Sequence, residues 1–241
     1  MTNIVEMTSL DYIMDAFKKA EINASKKEAE KLSAYMDGVL SWNEKVNLTA
    51  ITDPEEFVEK HYVDSLSALG VAEFKEAKKI LDLGTGGGFP GIPLAIMAED
   101  KDFTLLDSLA KRLKIIDALA EEIGIGNART IHGRSEDFGQ SEEYREKFDV
   151  VVSRAVAEMA VLGEYALPFV KVGGALIAYK TGGEKLDQEI EAAKKAIKTL
   201  GGELSRIKTG TGDHVLVIIK KIKKTPAKYP RKAGTPKKNP L

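Results

Sequence analysis

Along the first seventy residues, apolar side chains recur at helical spacing. Leu10, Ile13, Met14 and Phe17 fall at i, i+3, i+4 and i+7, with Ser9 placed to cap the start. Leu32, Tyr35, Met36, Val39 and Leu40 repeat the pattern, and Ser25 stands three residues before Glu28, the spacing of a capping box. After the polar stretch WNEKVNLTAITDP, a third helical face carries Val58, His61, Tyr62, Ser65, Leu66 and Leu69, with Pro54 suited to its first turn. A helical cap is therefore predicted over residues 1–70.

From residue 78 the period changes. The short apolar runs KKILDL, DFTLLD, ARTIHG, FDVVVS and KVGGALIAYK alternate with helical stretches, among them LAKRLKIIDALAEEI and a charged helix at 184–199. Apolar strands alternating with helices predict an α/β core over 71–220, a mainly parallel sheet with helices on both faces. Two closing runs, GELSRIKTG and HVLVIIKK, are joined by TGTGDH, which predicts a hairpin-type connection and an antiparallel strand at the sheet's end. No internal repeat is visible.

Composition narrows the class. No run approaches ~18 apolar residues, so no membrane partner is expected. The start, MTNIVEMTSLDYIMDAF, has no basic segment followed by an apolar one, so no secretory leader is expected. The chain has no cysteine, which removes disulfides, thiolate metal sites and cysteine nucleophiles together. His61, His132 and His214 show no metal-ligand spacing, and a metal-free, cytoplasmic protein is the expectation. The net charge of −1 hides an asymmetry: residues 221–241 hold eight basic residues, no acid and four of the eight prolines, leaving 28 basic against 37 acidic residues elsewhere. An extended, flexible basic tail on an acidic body suggests an anionic partner, or else a solubilising terminus.

The strongest chemical signal is LDLGTGGGFPGIPLAI at 81–96. A Gly-rich turn between strand and helix lets backbone amides approach a ligand closely. Gly86, Gly88 and Gly91 formally match the dinucleotide fingerprint, but Pro90 replaces an amide that a pyrophosphate would use. The register Asp82, Gly84, Gly86, Gly88 fits better and resembles motif I of class I methyltransferases, whose ligand is S-adenosylmethionine. Asp107 ends the second strand, 23 residues after Gly84, where an acid can accept both ribose hydroxyls of an adenosine. That geometry serves nicotinamide cofactors equally. In HGRSED, Ser135 and Glu136 lie where an adenine ring would rest, or else start a short helix.

The fourth strand runs into Ser153-Arg154-Ala155-Val156, where enzymes that methylate amino groups of adenine or cytosine carry Asn/Asp-Pro-Pro-aromatic. Cytosine-C5 chemistry needs a thiolate, which this chain lacks. Guanine N7 fits what remains. Its lone pair is free at neutral pH, so attack on a sulfonium methyl needs alignment and no catalytic base. Arg154 and Lys180 are candidates to orient the base, each also readable as a surface cation.

Together, WNEKVNLTAI, HYVDSL, the Gly-rich segment, LLDSLAKR, SRAVAE and VKVGGALIAYK closely resemble the glucose-inhibited division protein B family, guanine-N7 methyltransferases of 16S ribosomal RNA. The resemblance covers nearly the whole chain. It implies a class I, Rossmann-like methyltransferase fold with an N-terminal helical extension. It also implies methylation of one guanine near the decoding centre, in the 530 loop, with the assembled small subunit as substrate; a monomeric enzyme is expected. Cofactor contacts are implied at Gly84 and Phe89, at Asp107, Ser108 and Leu109, at Ser135 and Glu136, and at Arg154. Where the family usually reads Arg-Ala-Glu after the third strand, this chain has Arg134-Ser135-Glu136. The basic tail resembles that of relatives and reads as an RNA arm. An oxidoreductase, a non-enzymatic RNA-binding factor and a small-molecule or protein methyltransferase are the competing readings.

Overall fold

The N-terminal periodicity becomes helices held by side-chain caps. The computed structural model describes residues 7–241, so residues 1–6 of the expected cap, and of the stretch read for a leader, lie outside it. Helix α1 (Ser9–Lys19) starts one residue earlier than the periodicity suggests. Thr8, not Ser9, is its cap, in a reciprocal box with Asp11. Helix α2 (Lys26–Asn43) has the expected box between Ser25 and Glu28. Asp53 caps α3 (Pro54–Phe57), and the chain then winds through a π turn, Val58–Val63, into α4 (Asp64–Leu66) and a 3₁₀ turn, Ser67–Gly70. Sequence periodicity does not reveal that π turn. Such turns re-aim side chains and recur at functional sites.

After α5 (Ala72–Glu76) the alternation follows: β1 (Lys79–Leu83), α6 (Gly91–Met97), β2 (Asp102–Asp107), α7 (Ala110–Ile123), β3 (Ala128–His132) and α8 (Ser135–Phe138). Then come β4 (Phe148–Arg154), α9 (Met159–Ala166), β5 (Val170–Thr181), α10 (Glu184–Thr199), β6 (Gly202–Thr209), β7 (His214–Lys221) and α11 (Thr235–Lys238). The seven strands lie in the order β3-β2-β1-β4-β5-β7-β6. β1 to β5 pair in parallel, while β7 runs antiparallel to both of its neighbours. The antiparallel strand therefore sits one place in from the edge rather than at it, because the β6–β7 hairpin folds back to put β7 against β5.

Alternation along each strand divides the core. Ile80, Val150, Val152, Ile177 and Ile218 join one apolar cluster with α2 and the Pro54–Gly70 run. Leu81, Val151, Leu176, Val217 and Ile219 join another with α9 and α10. Neighbouring residues feed opposite faces, as the two-residue period of a strand requires. The N-terminal helices thus share a core with the sheet.

The basic tail departs most from expectation. Residues 222–241 fold back over the second face instead of extending into solvent. Tyr229, Pro230 and Pro236 are buried, and Arg231 forms a bidentate pair with Glu164, which is 1% exposed. Arg145 donates to the carbonyls of Thr225 and Tyr229 at 2.8 and 2.7 Å. Prolines forbid long regular elements here, but they do not forbid docking; an irregular segment docks when its polar groups find partners in the body.

Candidate active site: two cavities at the strand switch

Strand order reverses between β1 and β4, and a crevice opens beyond their carboxyl ends. The Gly-rich turn after Leu83 is organised by two acids. Asp82 Oδ2 accepts from the Thr85 hydroxyl at 2.6 Å and from Gly91 N–H at 2.8 Å. Its Oδ1 is buried without a partner among the described residues. Burial pushes the Asp82 carboxyl up to about 6, against the pull of its two donors. Asp107 Oδ2 accepts from Gly86 N–H and its Oδ1 from Leu109 N–H, both at 2.9 Å. Each oxygen keeps a lone pair for a further donor.

The glycines do different work. Gly84, Gly86 and Gly88 all have positive φ, at 74°, 59° and 92°. A Cβ on Gly84 would overlap Val156, and one on Gly88 would overlap the Tyr35 hydroxyl, whereas one on Gly86 meets nothing within 4 Å. Tyr35 reaches the turn from α2 and donates to the Gly87 carbonyl at 2.9 Å.

A cavity of about 320 Å³ lies against this turn. Of the residues singled out from sequence, Gly84, Asp107, Ser108, Ser135 and Glu136 line it. Val156 and Tyr165 add apolar wall, and Gly234, Lys237 and Lys238 enter from the C-terminal segment. Glu136 is 6% exposed; its Oε1 accepts from Gly234 N–H at 2.8 Å and its Oε2 from the Ser135 hydroxyl at 3.2 Å.

Arg154 and Lys180 line a second cavity, of about 410 Å³, with His61, Asp64, Tyr179 and His214. Arg154 donates to the Lys60 carbonyl at 2.7 Å, to Asp64 Oδ2 at 2.9 Å and to His61 Nδ1 at 2.9 Å. Asp64, 2% exposed, also accepts from His214 Nδ1 at 2.9 Å. With Nδ1 an acceptor, His61 carries its proton on Nε2, 2.7 Å from the Thr49 hydroxyl. Burial, with Arg154 and Lys60 nearby, lowers the His61 imidazole to about 3. Phe89 stacks on it, ring centroids 4.2 Å apart and planes 6° apart. Lys180 donates to the Ala157 carbonyl at 2.8 Å and pairs with Glu189.

The structure therefore separates the singled-out residues into three groups. Asp82, Gly86, Gly88 and Phe89 line neither cavity and instead shape the turn or pack against it, and Leu109, also outside both, is half exposed with its N–H on Asp107. Between the cavities the chain passes through Ala155, at φ 56°, a conformation uncommon for a non-glycine residue. Ala155 borders the second cavity and Val156 the first. Sequence reading did not single out Asp64, Tyr35, Val156 or Tyr165. For Asp64 no local signal existed, since it falls outside the positions that define the third helical face.

The family described as rRNA small subunit methyltransferase G matches residues 28–217. Relatives named ribosomal RNA small subunit methyltransferase G include one from Clostridium novyi, 49% identical, with 96% of each chain covered. Another, from Alkaliphilus oremlandii, is 44% identical, covering 96% of this chain and 98% of its own. Among solved structures, a putative O-methyltransferase from Klebsiella pneumoniae superposes with a TM-score of 0.55 at 16% identity, over 87% of this chain and 96% of that one. A SAM-dependent methyltransferase from Aquifex aeolicus gives 0.52 at 16%, over 75% and 97%. These two speak for the class I methyltransferase fold.

Proposed function

The chain belongs to the rRNA small subunit methyltransferase G family, and from that premise we propose that it methylates N7 of a single guanine in 16S ribosomal RNA, using S-adenosylmethionine. The observation that carries the reading is the pair of cavities divided by consecutive residues, Ala155 and Val156, at the strand switch. A space with an acid at its ribose position borders a larger, cationic space that would take the base.

The first cavity fits the cofactor on two counts. Gly84 brings bare backbone to the cavity wall, where a Cβ would collide with Val156, and Asp107 holds a lone pair on each oxygen while its N–H partners fix its orientation. Bound there, S-adenosylmethionine supplies an electrophilic methyl on a sulfonium. The chain's own task is then positioning and exclusion of water. Arg154 spends three of its five N–H donors on Lys60, Asp64 and His61, which leaves two for a guanine O6. His61 is neutral and its Nδ1 is occupied, so it is not poised as a base. N7 needs none, since its lone pair is already exposed at neutral pH.

We further propose that the assembled small subunit is the substrate, that the enzyme acts as a monomer, and that it works in the cytoplasm. No helix among the described residues is long and apolar enough to cross a membrane. The decisive experiment supplies labelled cofactor with small subunits, and separately with free 16S RNA, from cells lacking the modification. One labelled guanine whose backbone cleaves after borohydride and aniline treatment is expected, from the subunit sample. Label on another base or atom would overturn the N7 reading, and equal labelling of free RNA would overturn the subunit preference.

A further inference from the structure

The C-terminal segment enters the first cavity by a route that its composition does not suggest. Three acids of the body hold it at successive points. Glu146 accepts from Thr225 N–H at 2.9 Å, Glu164 pairs with Arg231, and Glu136 accepts from Gly234 N–H. Between those points Tyr229 and Pro230 are buried, and Pro236 is buried after them. Leu241 packs against the apolar cluster on that face of the sheet. The segment is therefore docked along its length, and the docking delivers α11 to the cavity, where Gly234, Lys237 and Lys238 complete a lining that also includes Gly84 and Asp107. Neither lysine's ammonium has a hydrogen bond or ion pair among the described residues, and both residues are exposed. Their side chains are free to lie across a bound molecule, apolar stem inward and ammonium in water.

We propose that residues 231–238 are a wall of the cofactor pocket, closing the end that takes the nucleoside, and that Lys237 and Lys238 contact the bound cofactor. Glu136 then has a different part from the one its position in HGRSED suggested. It is a positioning residue: its carboxylate holds the Gly234 backbone, and through it the wall, at the pocket rim. This inference rests on the first cavity being the cofactor site. It also reverses what a flexible arm implies, namely that removing the tail leaves cofactor affinity untouched.

The test uses S-adenosylhomocysteine and adenosine as calorimetric probes on three full-length or near-full-length proteins. Ending the chain after Gly234 keeps the Arg231–Glu164 pair and the Gly234–Glu136 bond, so the rest of the segment stays anchored. The dissociation constant should rise about tenfold for both probes, because the missing wall faces their common nucleoside. The full-length double variant K237A/K238A removes only side chains without partners and guards against a folding defect in the truncation; a smaller rise, about threefold, is expected. In the unmodified protein, S-adenosylhomocysteine should slow amide exchange across residues 232–238. Unchanged affinity in both variants, with no added protection of 232–238, overturns the wall while leaving the cofactor site intact. If the unmodified protein binds neither probe, the site assignment itself fails.

Discussion

At the scale of single residues, the glycines of the turn divide by what surrounds them. Gly84→Ala should cost cofactor affinity as well as stability, because its Cβ overlaps Val156 at the cavity wall and its φ is also positive. Gly86→Ala should cost stability alone, about 1 kcal/mol from a left-handed conformation, since its Cβ meets nothing within 4 Å. Calorimetric titration and urea unfolding of both variants separate the two costs; equal affinities would return Gly84 to a packing role. His61 makes a pH prediction. Its folded value of about 3 lies below the unfolded 6.5, so between them the unfolded chain binds the extra proton. The contribution is complete above 6.5 and is lost as pH falls toward 3. Asp82 has the opposite sign: raised from 3.8 to about 6, it is protonated in the fold where the unfolded chain is not, and it favours the fold less as pH rises through that window. The two oppose each other in the wild type. His61→Gln keeps a donor and an acceptor but removes the titration. Its stability should therefore rise relative to wild type as pH drops: the wild type loses about 1.4 kcal/mol per pH unit that the variant does not, between roughly pH 4 and 6. Parallel stability curves for the two proteins would show that His61 does not titrate on unfolding.

Elements meet at the site through a few polar clamps. Asp64 follows the π turn, Arg154 ends β4 and His214 starts β7, so one buried carboxylate ties the N-terminal helices to two strands of the sheet. The π turn presents His61 to Phe89 and Arg154 three residues before Asp64 meets the same guanidinium. Breaking a buried pair leaves an uncompensated charge, so Asp64→Ala should destabilise by on the order of 3 kcal/mol. Adding Arg154→Ala should recover part of that loss, and a double-mutant cycle reads the coupling. Strict additivity would mean that the two side chains do not act as a pair.

For the whole molecule the tail matters most. Lys221, 1% exposed, donates to the Val170 carbonyl at 3.2 Å and to the Thr225 hydroxyl at 2.8 Å, with Glu146 at 3.4 Å. Burial pulls its ammonium down to about 8. Lys221 and Arg231 thus spend two of the eight tail charges inside the fold. Arg231→Ala would leave Glu164 buried and unpaired, a loss on the order of 3 kcal/mol, measurable as a lowered denaturant midpoint. A midpoint equal to wild type would mean that the tail docks by apolar contact alone. The salt dependence of RNA binding should accordingly reflect fewer tail cations than composition counts.

The order of elements, the apolar strands and the Gly-rich turn were legible because each is local. Helical and strand periods lie within a dozen residues, and a turn needing positive φ announces itself through glycine. Asp107 and Arg154 were legible for a related reason: each ends a parallel strand, and the carboxyl ends of such strands share one crevice. What the tertiary structure alone decided was which residues share a cavity. Arg154, read partly as a cofactor contact, borders the second cavity, and Phe89 packs beneath it on His61. Asp64 and His214 meet although 150 positions apart. The docking of the C-terminal segment depends on Glu136, Glu146 and Glu164, three acids on separate pieces of chain. Composition described that segment as basic and proline-rich, which fits a solvated arm equally well. Only folding places those acids in one line along its path, because a long-range ion pair leaves no periodic trace in the sequence.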